Sequence, residues 1–287
     1  MNPINTINLL LLTEDGSAAK RSGMSNALAA SPASAQAFPA HVRRETVRFL
    51  EMAARSPLQA RVPAYPAFTV ETLSAHIGRA LRIFHTILSA GSYRQEKAIQ
   101  APAGPAIIEW VEAGLEPLLT VLGKVPPDTL VGLPHGAGDR PAALIAPLLA
   151  VEIGVHRWDV ESVLGEHAAI PRDLAIREID SVFENFVPRL ASTGVAPIGG
   201  TVRLQATDAA VGWSIWVDDG RLLTGQLSAE PDDAAVVVSA AAEDLALIVW
   251  KRWPPPRPGV EVSGSVDVLK RFLSTDYIPD PRTTPAH

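Results

Sequence analysis

The sequence contains no cysteine among its 287 residues. Disulfide bonds, a cysteine nucleophile and thiolate metal ligands are therefore excluded, and any metal ion has to be bound by histidine and carboxylate side chains. A chain without cysteine fits a reducing compartment, in which disulfides are rare. The absence of thiols thus restricts the chemistry of a metal site before any other residue is considered.

The chain also lacks a long apolar run and an excess of positive charge. No stretch approaches the ~20 apolar residues of a membrane-spanning helix. Segment 9–12 has no basic residues before it and is followed by Glu14 and Asp15, so it makes a poor signal peptide. The formal net charge is −6, and no run of Lys and Arg is interleaved with aromatic residues. We therefore expect a cytoplasmic protein with neither a membrane nor a nucleic-acid partner.

Apolar material for a core is abundant. Hydrophobic residues make up 47% of the chain and charged residues 20%, which is typical of a globular protein. The length is sufficient for two domains. Residues 1–40 are rich in Ala, Ser, Asn and Pro without a sustained period, which predicts a disordered extension.

Helical periodicity dominates the region 41–195. The predicted helices lie in segments 41–54, 69–90, 107–124, 144–165 and 172–190. The second of them is the best marked, because Thr69 opens it, Glu71 lies in its first turn and Gly91 follows its last residue. Helices joined by loops predict a helical bundle, in which sites are built from side chains on facing helices.

The pattern changes near Gly199. The segments that follow are short, partly alternating and separated by Asp, Gly and Pro, with Asp219-Gly220 as a hairpin turn. They predict an antiparallel sheet, and two helices are predicted among or after its strands. The fold class is therefore α plus α+β, with the bundle at 41–195 and a small α+β domain at 199–280.

Glu152 and His156 form the most informative pair in the sequence. They lie four residues apart in an almost wholly apolar segment, so they share one face of a helix that is expected to be buried. A buried carboxylate must be paired, protonated or bound to a metal, because burying a lone charge is very costly. Carboxylate and imidazole supply two of the three ligands of a catalytic metal site. A hydrogen-bonded pair, or an ion pair between Glu152 and Arg157, explains the same residues equally well.

His76 is the best candidate for a third ligand among the seven histidines. It lies on an apolar stripe of its helix, whereas His85, nine residues later, lies on the opposite side of that helix. The other histidines lie at segment ends, in loops or at the terminus: His41, His135, His167 and His287. The alternative for His76 is an ordinary core histidine with its ring nitrogens satisfied by backbone or solvent.

Asp159 offers a partner for His156. Ligating histidines usually donate their second ring N–H to a carboxylate or carbonyl, and Asp159 lies three residues after His156. A surface ion pair between Asp159 and Arg157 is the alternative, and such a pair contributes little. Trp158 is interpreted as a packing residue rather than a ligand platform.

Several segments of the chain resemble the mycothiol-dependent maleylpyruvate isomerase family, which belongs to the DinB-like metal-binding superfamily. They are TVETLSAHIGRA, VEIGVHRWDVESVLG, DLALIVWKRW and VEVSGSVDVLKRFL. The resemblance covers about residues 41–275. It implies an N-terminal DinB-like four-helix bundle followed by a C-terminal α+β domain that resembles sterol carrier protein folds.

The resemblance also implies a set of site residues. Family members bind a divalent metal, usually zinc, and the matching ligands here are His76, Glu152 and His156, the trio that spacing had selected. They also use a basic residue of the C-terminal domain near the metal, to which Arg252 corresponds. The alternative for Arg252 is a cation that ends a helix, where the dipole favours it. The sequence departs from the family at Phe68, where a Trp is common.

The implied function is a thiol-dependent reaction. Three protein ligands leave the fourth position of zinc open, where the cation favours thiolate over thiol, and in this chain the thiol must come from outside. By resemblance it is mycothiol. Addition of the thiolate to a double bond of a small dicarboxylate, bond rotation and elimination would give cis–trans isomerisation, with Arg252 holding a substrate carboxylate. The same ligands also fit a thiol S-transferase.

Two further hypotheses remain open at the level of sequence. One is a metal-dependent hydrolase that uses water and needs no thiol. The other is a non-catalytic, metal-stabilised protein with a binding or regulatory role. The expected partners are a small-molecule substrate and the thiol cofactor, and the expected oligomeric state is a monomer or a weak homodimer.

Overall fold

The computed structural model describes residues 32–63, 65–92, 99–133, 139–187, 194–226, 234–252 and 256–278. Within these ranges the chain divides into two compact units, with the division between Ala168 and Ala169. In the described residues, no helix combines the length and the apolar character that crossing a membrane requires.

Four helices form the framework of the first unit. They are α1 (Pro32–Arg55), α2 (Val70–Ala90), α3 (Ala106–Leu122) and α4 (Ile145–Glu161). Helices α1 and α2 each pack against both α3 and α4. The hairpin β1 (Arg61–Val62) with β2 (Tyr65–Thr69) precedes α2, and the hairpin β3 (Leu130–Gly132) with β4 (Asp139–Pro141) precedes α4. The region of the predicted bundle is therefore helical, with two short hairpins inserted.

Helix α2 begins and ends where the sequence predicts. Thr69 is its N-cap, and the side chains of Thr69 and Thr72 each accept a hydrogen bond from the other residue's backbone N–H. This reciprocal arrangement satisfies two N–H groups at the helix start. Gly91 follows the last turn with φ of 78°, a left-handed conformation that favours glycine. On the side toward α3, a Cβ at Gly78 would lie 2.2 Å from the Trp110 ring, so only glycine fits this close approach.

Helix α4 is buried on all sides. Of its residues, only His156 is not fully buried. A helix that is apolar all round belongs at the centre of a core rather than at its surface, which explains why α4 contacts both α1 and α2. The polar residues that α4 carries must therefore find partners inside the unit.

The second unit combines a five-stranded sheet with three helices. Its elements are α5 (Arg172–Asn185), β5 (Thr201–Ala206), β6 (Gly212–Asp218), β7 (Arg221–Gln226), β8 (Ala234–Ala240), α6 (Ala242–Val249), β9 (Glu261–Gly264) and α7 (Val266–Ser274). The strand order is β7-β6-β5-β8-β9. Strands β5 and β8 are parallel and the other pairs are antiparallel. The prediction of an antiparallel sheet is thus wrong at one pair, because alternation marks a strand but does not identify its neighbour.

Helix α5 belongs to the second unit, whereas the sequence prediction assigns it to the bundle and places the boundary at 195–199. It packs against α6. The indole of Trp213 donates to Asp180 over 2.8 Å, and that of Trp250 donates to the carbonyl of Glu178 over 3.1 Å. Helical periodicity shows that one face of a helix is covered, but it does not show by what.

The start of α1 also differs from the sequence prediction. The helix begins at Pro32, inside the stretch 1–40 that is predicted to be disordered. Phe38 is 4% exposed and anchors this part of the helix in the first unit. Residues 1–31 lie outside the described residues.

Candidate metal centre

His76, Glu152 and His156 lie together where α2 contacts α4. One ligand atom from each residue can be chosen such that all three lie within 4.8 Å of one another. Glu152 Oε1 is 2.6 Å from His76 Nε2 and 3.5 Å from His156 Nε2. The fold therefore brings together the three residues selected from the sequence.

The geometry and chemistry of this cluster fit a zinc ion. Ligand atoms bound at 2.0–2.1 Å around a tetrahedral ion are about 3.3 Å apart, and the two separations from Glu152 lie on either side of that value. Two imidazoles and one carboxylate are a donor set that zinc accepts, with one position left open. Small side-chain rotations would suffice to place the three atoms around one ion.

The cluster is largely buried. His76 and Glu152 are 7% and 6% exposed, and His156 is the only residue of α4 that is not fully buried. The side chains of His76, Glu152 and His156 are 9%, 8% and 12% exposed, so His156 is slightly the most accessible of the three. The ring of Phe68, from β2, lies on this cluster with its centroid 5.8 Å from that of His76 and 6.1 Å from that of His156.

The electrostatics of the cluster favour an ionised carboxylate. Burial opposes the charged form of Glu152, but hydrogen bonding with His156 and His76 outweighs burial and holds the pKa of the carboxyl well below its usual range. Burial likewise opposes protonation of His156, yet its contacts with Asp159 and Glu152 raise the pKa of the imidazole to about 9. In the absence of metal, His156 is therefore protonated at neutral pH.

Asp159 makes the contact that its spacing predicts. Its Oδ2 atom accepts a hydrogen bond from His156 Nδ1 over 2.9 Å, and its carboxylate is fully buried. Because Nδ1 carries the proton, Nε2 of His156 is the nitrogen that faces Glu152. This partner fixes both the tautomer and the orientation of the ring, as expected for a ligating histidine.

Arg157 does not pair with Glu152, so that alternative is wrong, and it does not form a surface pair with Asp159. It is 1% exposed and donates from Nε to Glu45 over 2.8 Å and from Nη1 to Glu161 over 2.6 Å. The two carboxylates come from α1 and α4, respectively. The pairing of Arg157 inside the unit leaves Glu152 with the two histidines.

The remaining candidates of the sequence analysis lie elsewhere. Trp158 stacks on His167 with ring centroids 4.4 Å apart, which agrees with a packing role. His85 is half-buried on α2. Arg252 follows α6 in the second unit, where its Nη1 donates to the carbonyl of Trp250 over 3.1 Å, and its role beside the metal stays a prediction. Two further histidines, His135 and His287, lie outside the described residues.

Acid is expected to weaken metal binding, because His156 must lose its Nε2 proton before that nitrogen binds an ion. With the pKa of His156 raised to about 9, the apparent association constant for zinc should rise about tenfold per pH unit between about pH 6 and pH 8. If the pKa of His156 were unperturbed, the association constant would stop rising near the ordinary histidine pKa of about 6.5. Titration against a competing chelator at several pH values measures this slope.

An Asp159→Asn variant tests the origin of that slope. Loss of the Asp159 carboxylate removes one of the two groups that raise the pKa of His156. The affinity should therefore level off at lower pH, and should be about 10–100-fold weaker at the plateau. Asp128→Asn, an exposed position, is the control of equal charge change. Identical pH profiles for Asp159→Asn and the wild type would contradict the proposed role of Asp159.

Together, the fold and the cluster define a class of protein: a helical unit with a candidate two-histidine, one-carboxylate metal centre, followed by a unit of mixed helix and sheet. The family model described as "Mycothiol maleylpyruvate isomerase N-terminal domain" matches residues 40–161, and that described as "MDMPI C-terminal domain" matches residues 173–271. The two matches cover both units. The chain belongs to the mycothiol-dependent maleylpyruvate isomerase family.

Solved structures agree with this assignment at the level of the fold. A crystal structure of the mycothiol-dependent maleylpyruvate isomerase matches with a TM-score of 0.56 and 15% identity, over 81% of this chain and 94% of that chain. A histidine-to-alanine mutant of that isomerase matches with a TM-score of 0.55 and 14% identity over the same shares. None of the curated proteins matches the chain.

Proposed function

We propose that this chain is a zinc-dependent enzyme that uses mycothiol as an external thiol, acting as a maleylpyruvate isomerase-like cis–trans isomerase or as a thiol S-transferase. The observation that carries the proposal is the cluster of His76, Glu152 and His156, whose ligand atoms lie within 4.8 Å of one another in a family that the chain shares with a mycothiol-dependent isomerase. The proposal includes a DinB-like four-helix bundle, a sterol carrier-like second domain and a cytoplasmic location.

Each residue of the cluster has a defined task in this proposal. His76, Glu152 and His156 would hold the ion, and Asp159 accepts the Nδ1 proton's hydrogen bond, so that Nε2 is the nitrogen of His156 that would bind. A zinc ion held in this way supplies a positive charge that favours the thiolate form of an incoming thiol. The low pKa of Glu152 ensures that the carboxylate is available without a proton to displace. Arg252 is proposed to bind a carboxylate of the substrate through its planar guanidinium.

The absence of cysteine supports an external thiol. No side chain of this protein can supply the sulfur nucleophile, so a thiol-dependent reaction here needs a small-molecule cofactor. The burial of the cluster supports a small substrate, because little of the three side chains is exposed to solvent. Both features agree with the reaction class named in the family description.

Turnover of maleylpyruvate by the zinc-loaded protein should require mycothiol. The assay compares isomerisation with and without the thiol, and mass spectrometry of the same mixtures detects any S-conjugate, which separates isomerase from transferase. Glu152→Gln is the inactive control. Release of hydrolysis products without thiol would indicate a hydrolase instead, and isomerisation that needs no thiol would contradict the dependence on mycothiol. If zinc raises the melting temperature but neither turnover nor a conjugate is detected, a non-catalytic role replaces the proposal.

A further inference from the structure

Phe68 is the aromatic side chain that contacts both candidate histidine ligands. Its ring centroid is 5.8 Å from that of His76 and 6.1 Å from that of His156, the latter in an edge-on arrangement. The two imidazoles are 5.0 Å apart and nearly perpendicular, at 81°. The two imidazoles contact the carboxylate of Glu152, and the phenyl ring of Phe68 lies against both imidazoles.

The backbone around Phe68 is firmly held. The next residue, Thr69, caps α2. In the two residues after Thr69, the N–H of Val70 donates to the carbonyl of Ala60 over 3.0 Å, and the N–H of Glu71 donates to the carbonyl of Leu58 over 2.9 Å. These bonds connect the hairpin to the start of the helix that carries His76. The Phe68 ring is therefore part of the site's framework rather than of a loose loop.

The apolar ring of Phe68 lies against both histidines, where it affects which ligand can approach a bound ion. Phe68 is half-buried, and its ring lies beside that of His156, whose side chain is 12% exposed. A phenyl ring offers no hydrogen bond, and an ordered water needs two to four polar partners. Its presence makes the approach to the ion unfavourable for water. A thiol sulfur is weakly hydrated and is a soft ligand for zinc. It therefore loses less hydration energy than water does when it enters an apolar site.

We propose that Phe68 is a specificity-determining residue, whose ring forms an apolar wall beside the metal centre and favours a thiol over water in the open position. This inference rests on the proposed function, since it concerns the choice of ligand at the same ion. Tyr65 belongs to the same strand and lies against Phe68 with centroids 5.0 Å apart. The half-buried Tyr65 supplies a matched control.

The test uses the full chain loaded with cobalt(II), whose visible absorption reports coordination number and thiolate binding. Mycothiol is titrated into the wild type, Phe68→Ala, Phe68→Leu and Tyr65→Leu. The cobalt affinity of Phe68→Ala should lie within a few-fold of the wild-type value. Its dissociation constant for the thiol should be about tenfold higher. Its thiol-free spectrum should shift toward a higher coordination number as water enters. Phe68→Leu, which keeps an apolar wall, should restore most of the thiol affinity, and Tyr65→Leu should change it little.

The outcomes separate this inference from the proposed function. A wild type that binds no cobalt, or binds cobalt but no thiol, would defeat the proposed function itself. A wild type that binds both, with unchanged thiol affinity in Phe68→Ala, would defeat only the role of Phe68. Equal losses in Phe68→Ala and Tyr65→Leu would assign the effect to hairpin packing, and loss of cobalt in Phe68→Ala would assign it to the placement of the histidines. Either result overturns selectivity by the ring.

Discussion

Replacing Glu152 by glutamine is expected to reduce the zinc content of the purified protein from about one ion per chain to below about one tenth. The neutral amide is a poor zinc ligand, and the substitution removes the only negative charge among the three candidate ligands. His76→Ala should have the same result, because the two remaining ligands bind zinc too weakly to retain it during gel filtration. Protein is purified without chelator, passed through gel filtration and measured by mass spectrometry for metal per chain.

A control on the same helix makes the zinc experiment specific. His85 lies nine residues after His76 on α2 and outside the cluster, so His85→Ala should keep its zinc. Added zinc should also raise the melting temperature of the wild type and of His85→Ala, by the equivalent of about 4 kcal/mol at a thousandfold excess over the dissociation constant. Equal zinc content in the wild type and both ligand variants would show that this cluster is not a metal site.

Arg157→Met is expected to lower the free energy of unfolding by about 1–3 kcal/mol. The guanidinium is 1% exposed and pairs with Glu45 and Glu161, which are 2% and 0% exposed. Its removal leaves Glu45 with Arg44 and Glu161 with Arg48 as remaining cationic partners, so each buried carboxylate keeps only part of its compensation, which costs more than the pair contributes. Because the contacts join α1 to α4, the loss should also loosen the helix that carries two of the candidate ligands. Denaturant unfolding followed by circular dichroism measures the change.

The double variant Arg157→Met with Glu45→Gln separates charge from packing. If the cost comes from the unpaired carboxylate, neutralising Glu45 should recover part of the lost stability. Arg43→Met is the matched control. Arg43 lies on α1, as Glu45 does, but its pair with Glu116 is exposed, and exposed pairs contribute little. A loss in Arg43→Met as large as in Arg157→Met would mean that burial of the charge is not the cause.

The sequence predicts those features that depend on local pattern. Helix α2 was delimited by its cap at Thr69 and by Gly91, because both act within one turn of the helix end. The pair Glu152 and His156 was visible because two polar residues at helical spacing are conspicuous in an apolar segment. Asp159 followed from the same spacing. In each case the interacting residues lie close together along the chain, so their geometry is set by one helix.

Features that depend on distant parts of the chain could not be predicted in this way. The parallel pairing of β5 with β8 joins strands that are not neighbours along the chain. The contact of Phe68 with the two histidines depends on how the hairpin folds back onto α2. Glu45 did leave a signal, since it stands on the buried stripe of α1 formed by Val42 and Phe49. A charge in that position requires a buried partner, but nothing local identifies Arg157.

The two halves of the cluster are 76 residues apart along the chain. An ion bound to both therefore closes a long loop, and α3 lies inside that loop although it contributes none of the three candidate ligands. In a chain without disulfides, such an ion would act as a reversible cross-link of the folded state, which is released on unfolding and stabilises the fold by mass action. Linkage is reciprocal, so substitutions that loosen α3 should also weaken the hold on the ion.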